Sequence, residues 1–191
     1  HQYMLTKDMG FDRENLLVAT LPYEAVYGGW TFESDYTKRD ALLNRLEQNP
    51  QIKEIALGRG NITHSRMQWT RPVENGESVI FGVYVVSWNF LKTMGIDIVD
   101  GRDFLPSDEH SATGALIFNE QASKELGITD GEQINGHLDN ANTPIVGICK
   151  DFCFQSAHYG ITPYAFLVYG KYGWDQPRIA YIRTVAGADI A

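Results

Sequence analysis

The chain has 191 residues, 43% of them hydrophobic, 12% aromatic and 21% charged, enough apolar material to bury a core and to exclude a disordered polymer. Sixteen Lys and Arg stand against twenty-four Asp and Glu, a formal net charge of −8, which argues against a nucleic-acid or anionic-membrane surface. The excess is local: residues 1–95 carry ten cations and eleven anions, residues 96–139 two and ten, and residues 140–191 four and three.

Residues 15–21 (NLLVATL) predict a buried strand that stops at Pro22. A Gly- and aromatic-rich loop follows. Residues 34–48 then predict a helix, with Ala41, Leu42, Leu43 and Leu46 at helical spacing and Asn49-Pro50 as its stop. Residues 52–57 form a second strand. Residues 67–73 and 78–87 flank Asn75-Gly76, a strong hairpin signal, and Val79, Phe81, Val83 and Val85 alternate onto one face. Ser87 is placed to cap a short helix through Met94, which Gly95 closes.

Residues 96–149 read as a smaller α/β unit. It opens on an extended segment, 96–99, and a turn at Asp100-Gly101. A strand over 115–118 leads to a helix that Asn119 caps and Gly127 ends. Residues 134–138 and 144–149 suggest a hairpin, residues 164–169 and 178–184 two strands that rejoin the first unit, and Asp189 a further helix cap. The longest stretch free of Asp, Glu, Lys and Arg, residues 152–170, contains Gln155, His158, Gly160 and Pro163 and is too polar and broken to span a membrane.

Chemistry is hard to find. There is no G-x-S-x-G elbow and no Ser or Cys in a base-and-orienter pattern. The five histidines are scattered, Asp97, Asp100 and Asp103 are spaced too widely for a calcium loop, and Gly58-Arg59-Gly60 lacks the rest of a phosphate cradle. No catalytic residue, cofactor or metal is therefore expected. Cys149 and Cys153 lie roughly 13 Å apart on an extended segment, beyond disulfide reach, although a turn after Lys150 brings them closer; unpaired thiols are expected. Two aromatic clusters are either core or a surface for a partner or ligand, with Tyr27, Trp30, Tyr172 and Trp174 the candidates for such a surface.

The order of short motifs carries more. Gly10-Phe11-Asp12-x-x-Asn15-Leu16 opens the series, then Asn49-Pro50-x-Ile52, Phe90-Leu91-Lys92-x-Met94-Gly95-Ile96 and Gly101-Arg102-x-Phe104. Ile117-x-Asn119-Glu120-x-Ala122 and Leu126-Gly127 follow, then Ile145-Val146-Gly147-Ile148-x-Lys150-Asp151-Phe152 and Ile161-x-Pro163. In this order they resemble the extracytoplasmic domain of MacB/FtsX-like ABC transporter permeases of the Bacteroidetes type, from about residue 8 onward.

The resemblance implies an α+β fold with two lobes: a porter-like β-α-β-containing lobe (1–88 and 150–191) and a smaller inserted α/β lobe (89–149). It also implies a non-catalytic periplasmic domain of an inner-membrane, dimeric permease that passes motion from a cytoplasmic ATPase to work in the periplasm, with an adaptor or cargo as partner. The alternative is an extracytoplasmic module that senses a peptide, antibiotic or lipid. Gly10, Phe11, Asp12, Gly95, Gly101, Arg102, Phe104, Asn119, Glu120, Gly147, Asp151, Phe152 and Pro163 are then fold-specifying motif residues. Of these, Arg102 is expected to pair with Glu120 or Asp103. The acidic segment 96–139 is either a solubility feature or a docking face for a basic partner or cationic cargo, the latter open to charge reversal at Asp103, Asp108 and Glu109.

Overall fold

The computed structural model describes residues 10–22, 37–60, 62, 67–73, 76–128, 143–153, 161–168 and 177–188. Their elements are β1 (Leu16–Thr20), α1 (Thr37–Glu47), β2 (Ile52–Gly58), β3 (Gln68–Pro72), β4 (Ser78–Val85), α2 (Phe90–Met94), β5 (Ile98–Gly101), α3 (Pro106–His110), β6 (Ala115–Asn119), α4 (Glu120–Leu126), β7 (Ile145–Cys149), β8 (Tyr164–Val168) and β9 (Ile179–Thr184). They make an α+β fold with a three-stranded sheet, β1-β9-β2, and a six-stranded sheet, β3-β4-β8-β6-β7-β5. Among the described residues no helix is long and apolar enough to cross a membrane.

Side-chain alternation decides which way each strand faces. On β4, Phe81, Val83 and Val85 pack with Leu116 and Phe118 of β6, Ala165 and Leu167 of β8, and Ala122 and Leu126 of α4. Tyr84 points the other way, into a cluster with Phe90, Phe104, Ile117, Phe166 and Tyr181. β6 is buried on both faces, as a central strand covered on both sides must be. The hairpin at Gly76 forms as expected, with Trp69 opposite Phe81 in an antiparallel β3–β4 pair. β7 lies parallel to β6 and antiparallel to β5; the predicted strand at 134–138 and the cap at Asp189 fall outside the described residues. Helix α1 sets Leu42, Leu43 and Leu46 against Ile55, Leu57 and Ala180 of the smaller sheet.

One capping expectation fails. The hydroxyl of Ser87 does not cap α2: it accepts from the Leu57 amide at 2.8 Å and donates to Asn89 Oδ1 at 2.8 Å. It thereby ties β2 to the turn before the helix, whose N-cap position belongs to Asn89. Gly95 does close α2 in the left-handed conformation, with φ of 68°.

The two sheets meet along a backbone seam. Gly58 bridges to Val86, Ser87 N donates to Leu57 O at 2.9 Å, and Arg59 N donates to Val85 O at 2.9 Å. Behind it, Tyr84 Oη donates to Gly60 O at 2.8 Å and lies 2.9 Å from Tyr181 Oη; burial pushes both phenols above the ordinary tyrosine range. The sequence positions 88 and 149 separate strands that are neighbours in the larger sheet, since β8 lies between β4 and β6. Cys149 is buried and Cys153 partly buried, neither in a disulfide. Burial drives the Cys149 thiol pKa upward, as suits a core residue rather than a nucleophile.

Gly147 marks a tight crossing. A Cβ there would overlap Arg102 O and lie 3.1 Å from Asp100 O, both on the backbone of the neighbouring chain segment. Gly147→Ala is expected to cost about 1–3 kcal/mol, the usual penalty for overpacking. The check is a lower urea midpoint at unchanged slope.

Candidate functional site

The residues of the motif series gather at three places. The first is centred on Asn119, which is fully buried. Its Oδ1 accepts from Ala122 N at 3.1 Å, capping α4, and from Tyr164 N at 2.8 Å, at the start of β8. Its Nδ2 donates to Asp151 Oδ1 at 2.9 Å and to Thr162 O at 3.0 Å. Two donors and two acceptors are the useful capacity of a carboxamide, and all are used. Asp151 Oδ1 also accepts from Gln121 N at 2.9 Å, and Glu120 Oε2 accepts from Asp151 N at 3.0 Å. Phe152 stacks at an angle on Tyr164 and Phe166. Pro163 O accepts from Gly82 N at 3.0 Å, which joins β4 to this knot. Gly10, with φ of 74°, lies against it so closely that a Cβ would overlap Asp151 O and sit 2.8 Å from Phe152 Cα.

The second place is the turn after β5. Gly101 takes φ of 71° and Phe104 is buried in the main cluster. Arg102 pairs with neither Glu120 nor Asp103 through its carboxylate. Its guanidinium grips Asp108 with two bonds, 2.8 and 3.0 Å, and also donates to Asp103 O at 2.9 Å. Asp108 is the better partner because α3, begun by Pro106, holds its carboxylate inward, where it also accepts from Leu105 N at 2.8 Å. The hydrogen bond to Asp108 raises the Arg102 pKa further and fixes the side chain as a cation.

The third place ties the segment before β1 to β9. Asp12 N donates to Met94 O at 2.8 Å, at the end of α2, and Asp12 Cβ lies 3.1 Å from where a Gly95 side chain would begin. Phe11 packs on the main cluster. Arg183, near the end of β9, donates to Thr93 O from Nε and Nη2 at 3.1 and 2.6 Å, to Asp12 O at 3.0 Å and to Glu14 O, and pairs with Asp12 Oδ2 at 3.2 Å. A planar guanidinium suits this task because its five donors radiate in one plane. Nothing in the motif series pointed to Arg183. A lone charge inside the apolar strand IAYIRT was the available signal, but its partners lie far away in sequence.

None of these places has the parts of an active centre. Among the described residues no three His, Cys, Asp or Glu side chains are grouped to hold a metal. Tyr27, Trp30, Tyr172 and Trp174 lie outside the described residues. Phe166, an aromatic residue on β8 close to Tyr172 and Trp174 in the sequence, is core.

No protein-family model matches the sequence, and no curated protein does. Solved structures do. The periplasmic region of MacB from Actinobacillus actinomycetemcomitans aligns over 98% of this chain and 82% of its own, with a TM-score of 0.59 at 12% identity. The chain has the fold of that domain. The extracellular domain of the noncanonic ABC-type transporter YknZ from Gram-positive bacteria gives a TM-score of 0.58 at 15% identity, over 91% of this chain and 85% of its own.

Two substitutions test the knots. Asn119→Ala should lower stability by about 2–4 kcal/mol, since it removes a helix cap and leaves buried partners unpaired; equilibrium denaturation measures it. Arg183→Gln should cost about 1.5–3 kcal/mol, the range for hydrogen bonds to a charged group. In that variant, faster amide exchange should concentrate at residues 12–15 and 93–96.

Proposed function

We propose that this chain is the extracytoplasmic domain of a MacB/FtsX-like ABC transporter permease, lying in the periplasm and carrying out no chemistry of its own. The observation that carries this reading is the pairing of a MacB-like fold over almost the whole chain with the motif series in family order. Without the motif order, likeness at so low an identity would speak only for fold.

The domain's work in this reading is mechanical. A cytoplasmic ATPase changes shape on binding ATP, membrane helices of a dimeric permease carry the movement outward, and the periplasmic domains move with them. The geometry suits a body that moves as a unit. Both sheets contribute to one buried cluster, with Ala56 and Tyr181 from the smaller and Ile117 and Phe166 from the larger. Arg183 holds the segment leading into β1 to the last strand of the fold and to α2, so displacement of either end reaches the same rigid core.

Two measurements test the proposal. The purified chain should hydrolyse no ATP; clear turnover overturns the reading. In the full-length permease reconstituted with its ATPase, a spin label at exposed Lys124 of each copy should report an inter-copy distance that differs between ATP and ADP. A Lys38–Lys124 pair within one copy should stay fixed. An inter-copy distance that ignores nucleotide removes the mechanical role.

A further inference from the structure

We propose that β1 is a docking edge for a second copy of this chain, the two β1 strands pairing antiparallel about a two-fold axis at Val18. The contact follows from the strand itself and stands whether or not the chain belongs to a permease. The two sheets have four edge strands, β1 and β2 in the smaller, β3 and β5 in the larger. An open edge is a template for another strand, and proteins blunt it with charges, proline or a bulge. β2 carries Lys53 and Glu54 and shifts register between Ile52 and Glu54. β3 carries Arg71 and ends on Pro72. β5 carries Asp100 and shifts register between Ile98 and Asp100. β1, LLVAT, has none of these devices. It is also poorly covered: Leu17 is 44% and Val18 61% exposed, and Ala19 and Thr20 are exposed as well.

The hydrogen bonds decide the register. Thr184 N donates to Asn15 O at 2.9 Å and Leu21 N to Arg178 O at 2.8 Å, one at each end of the β1–β9 ladder. Antiparallel bonding alternates residue by residue. Leu17 and Ala19 therefore bond to β9, while Leu16, Val18 and Thr20 turn their N–H and C=O groups away from it. Among the described residues no strand pairs with β1 on that side. A second β1 laid antiparallel with Val18 against Val18 sets Leu16 of each copy against Thr20 of the other. Every outward amide and carbonyl of both strands is then paired. Any other register in phase with these groups takes an end residue off the strand.

The side chains agree with that register. Val18 meets Val18 on one face and Leu17 meets Ala19 on the other, so apolar surface covers apolar surface. Between Asn15 and Pro22 no charged residue stands to repel a copy of a chain whose net charge is −8, and none to select a charged peptide instead. Pro22, which has no N–H, ends the pairing. The same patch serves both partners, as a closed two-fold contact requires. A pair of five-residue strands falls short of the roughly 1,200 Å² of a stable interface. The contact is therefore reversible, and it forms at high concentration or where two copies are held side by side.

The test is amide exchange and sedimentation of the purified chain from micromolar to millimolar concentration. As concentration rises, exchange at Leu16, Val18 and Thr20 of the wild type should slow, whereas Leu17 and Ala19, already bonded to β9, should not change. V18K and V18E alter an exposed side chain and should unfold near the wild-type midpoint. Each should associate about tenfold more weakly than wild type, because like charges meet on the axis. An equimolar mixture of the two should associate more tightly than either alone. The proposal is overturned if exchange at Leu16, Val18 and Thr20 ignores concentration, which leaves the edge open to a strand of another protein. It is equally overturned if V18K and V18E associate as wild type does, or if their mixture stays as weak as each alone.

Discussion

A buried carboxamide can be tolerated only if every one of its polar atoms finds a partner, and at Asn119 that requirement locates three chain segments at once. Its oxygen starts α4 and receives the first amide of β8; its nitrogen reaches the carboxylate after β7 and the carbonyl of Thr162. Moving any of these segments leaves a polar atom stranded in a dry interior, at a cost of about 1–3 kcal/mol per orphaned group. The glycine at position 10 follows from the same knot, because the backbone of Asp151 and Phe152 occupies the space a side chain would need. The seam between the sheets, the aromatic packing behind it and the clamp at Arg183 all build on a core whose strand order Asn119 helps to fix.

Most of the regular structure was legible because its signals are local. Period-two alternation in β4, the Asn-Gly hairpin, the Asn119 cap and the glycines at 95 and 127 each depend on neighbours within a few residues. Partner choice was not legible in the same way. Arg102 has acidic candidates at 103 and 120, yet it takes Asp108, since α3 was not anticipated and only that short helix turns the Asp108 carboxylate inward. Pro106 followed by acids at 108 and 109 was the overlooked helix start. Ser87 failed as a cap because β2, thirty residues earlier, offered its hydroxyl an unpaired amide. Arg183 reaches across 90 and 171 residues to Thr93 and Asp12, a separation that no short motif encodes.

Charge shows the same division. The sequence locates the acidic excess correctly but says nothing of which way those side chains face. Asp103, Asp108 and Glu109 look inward in part or whole, so they shape the contact between elements, while Asp97, Asp100 and Glu120 remain exposed. A carboxylate's neighbours, not its count, decide whether it acts as a solvating group, a hydrogen-bond acceptor for backbone amides, or a strained charge.

The strand order also has a consequence for how the molecule is made. In the smaller sheet β1 and β2 never touch; each pairs only with β9. In the larger sheet β8 stands between the β3–β4 hairpin and the β6-β7-β5 group. Both keystones come from the last described stretches, 161–168 and 177–188. A chain emerging from its amino end therefore has two half-built sheets with open edges until these strands arrive, and β9 must then close loops of more than a hundred residues. Such long-range closure favours slow folding, and open edges invite mispairing with other chains. The nascent domain is thus most vulnerable just before its final strands are delivered.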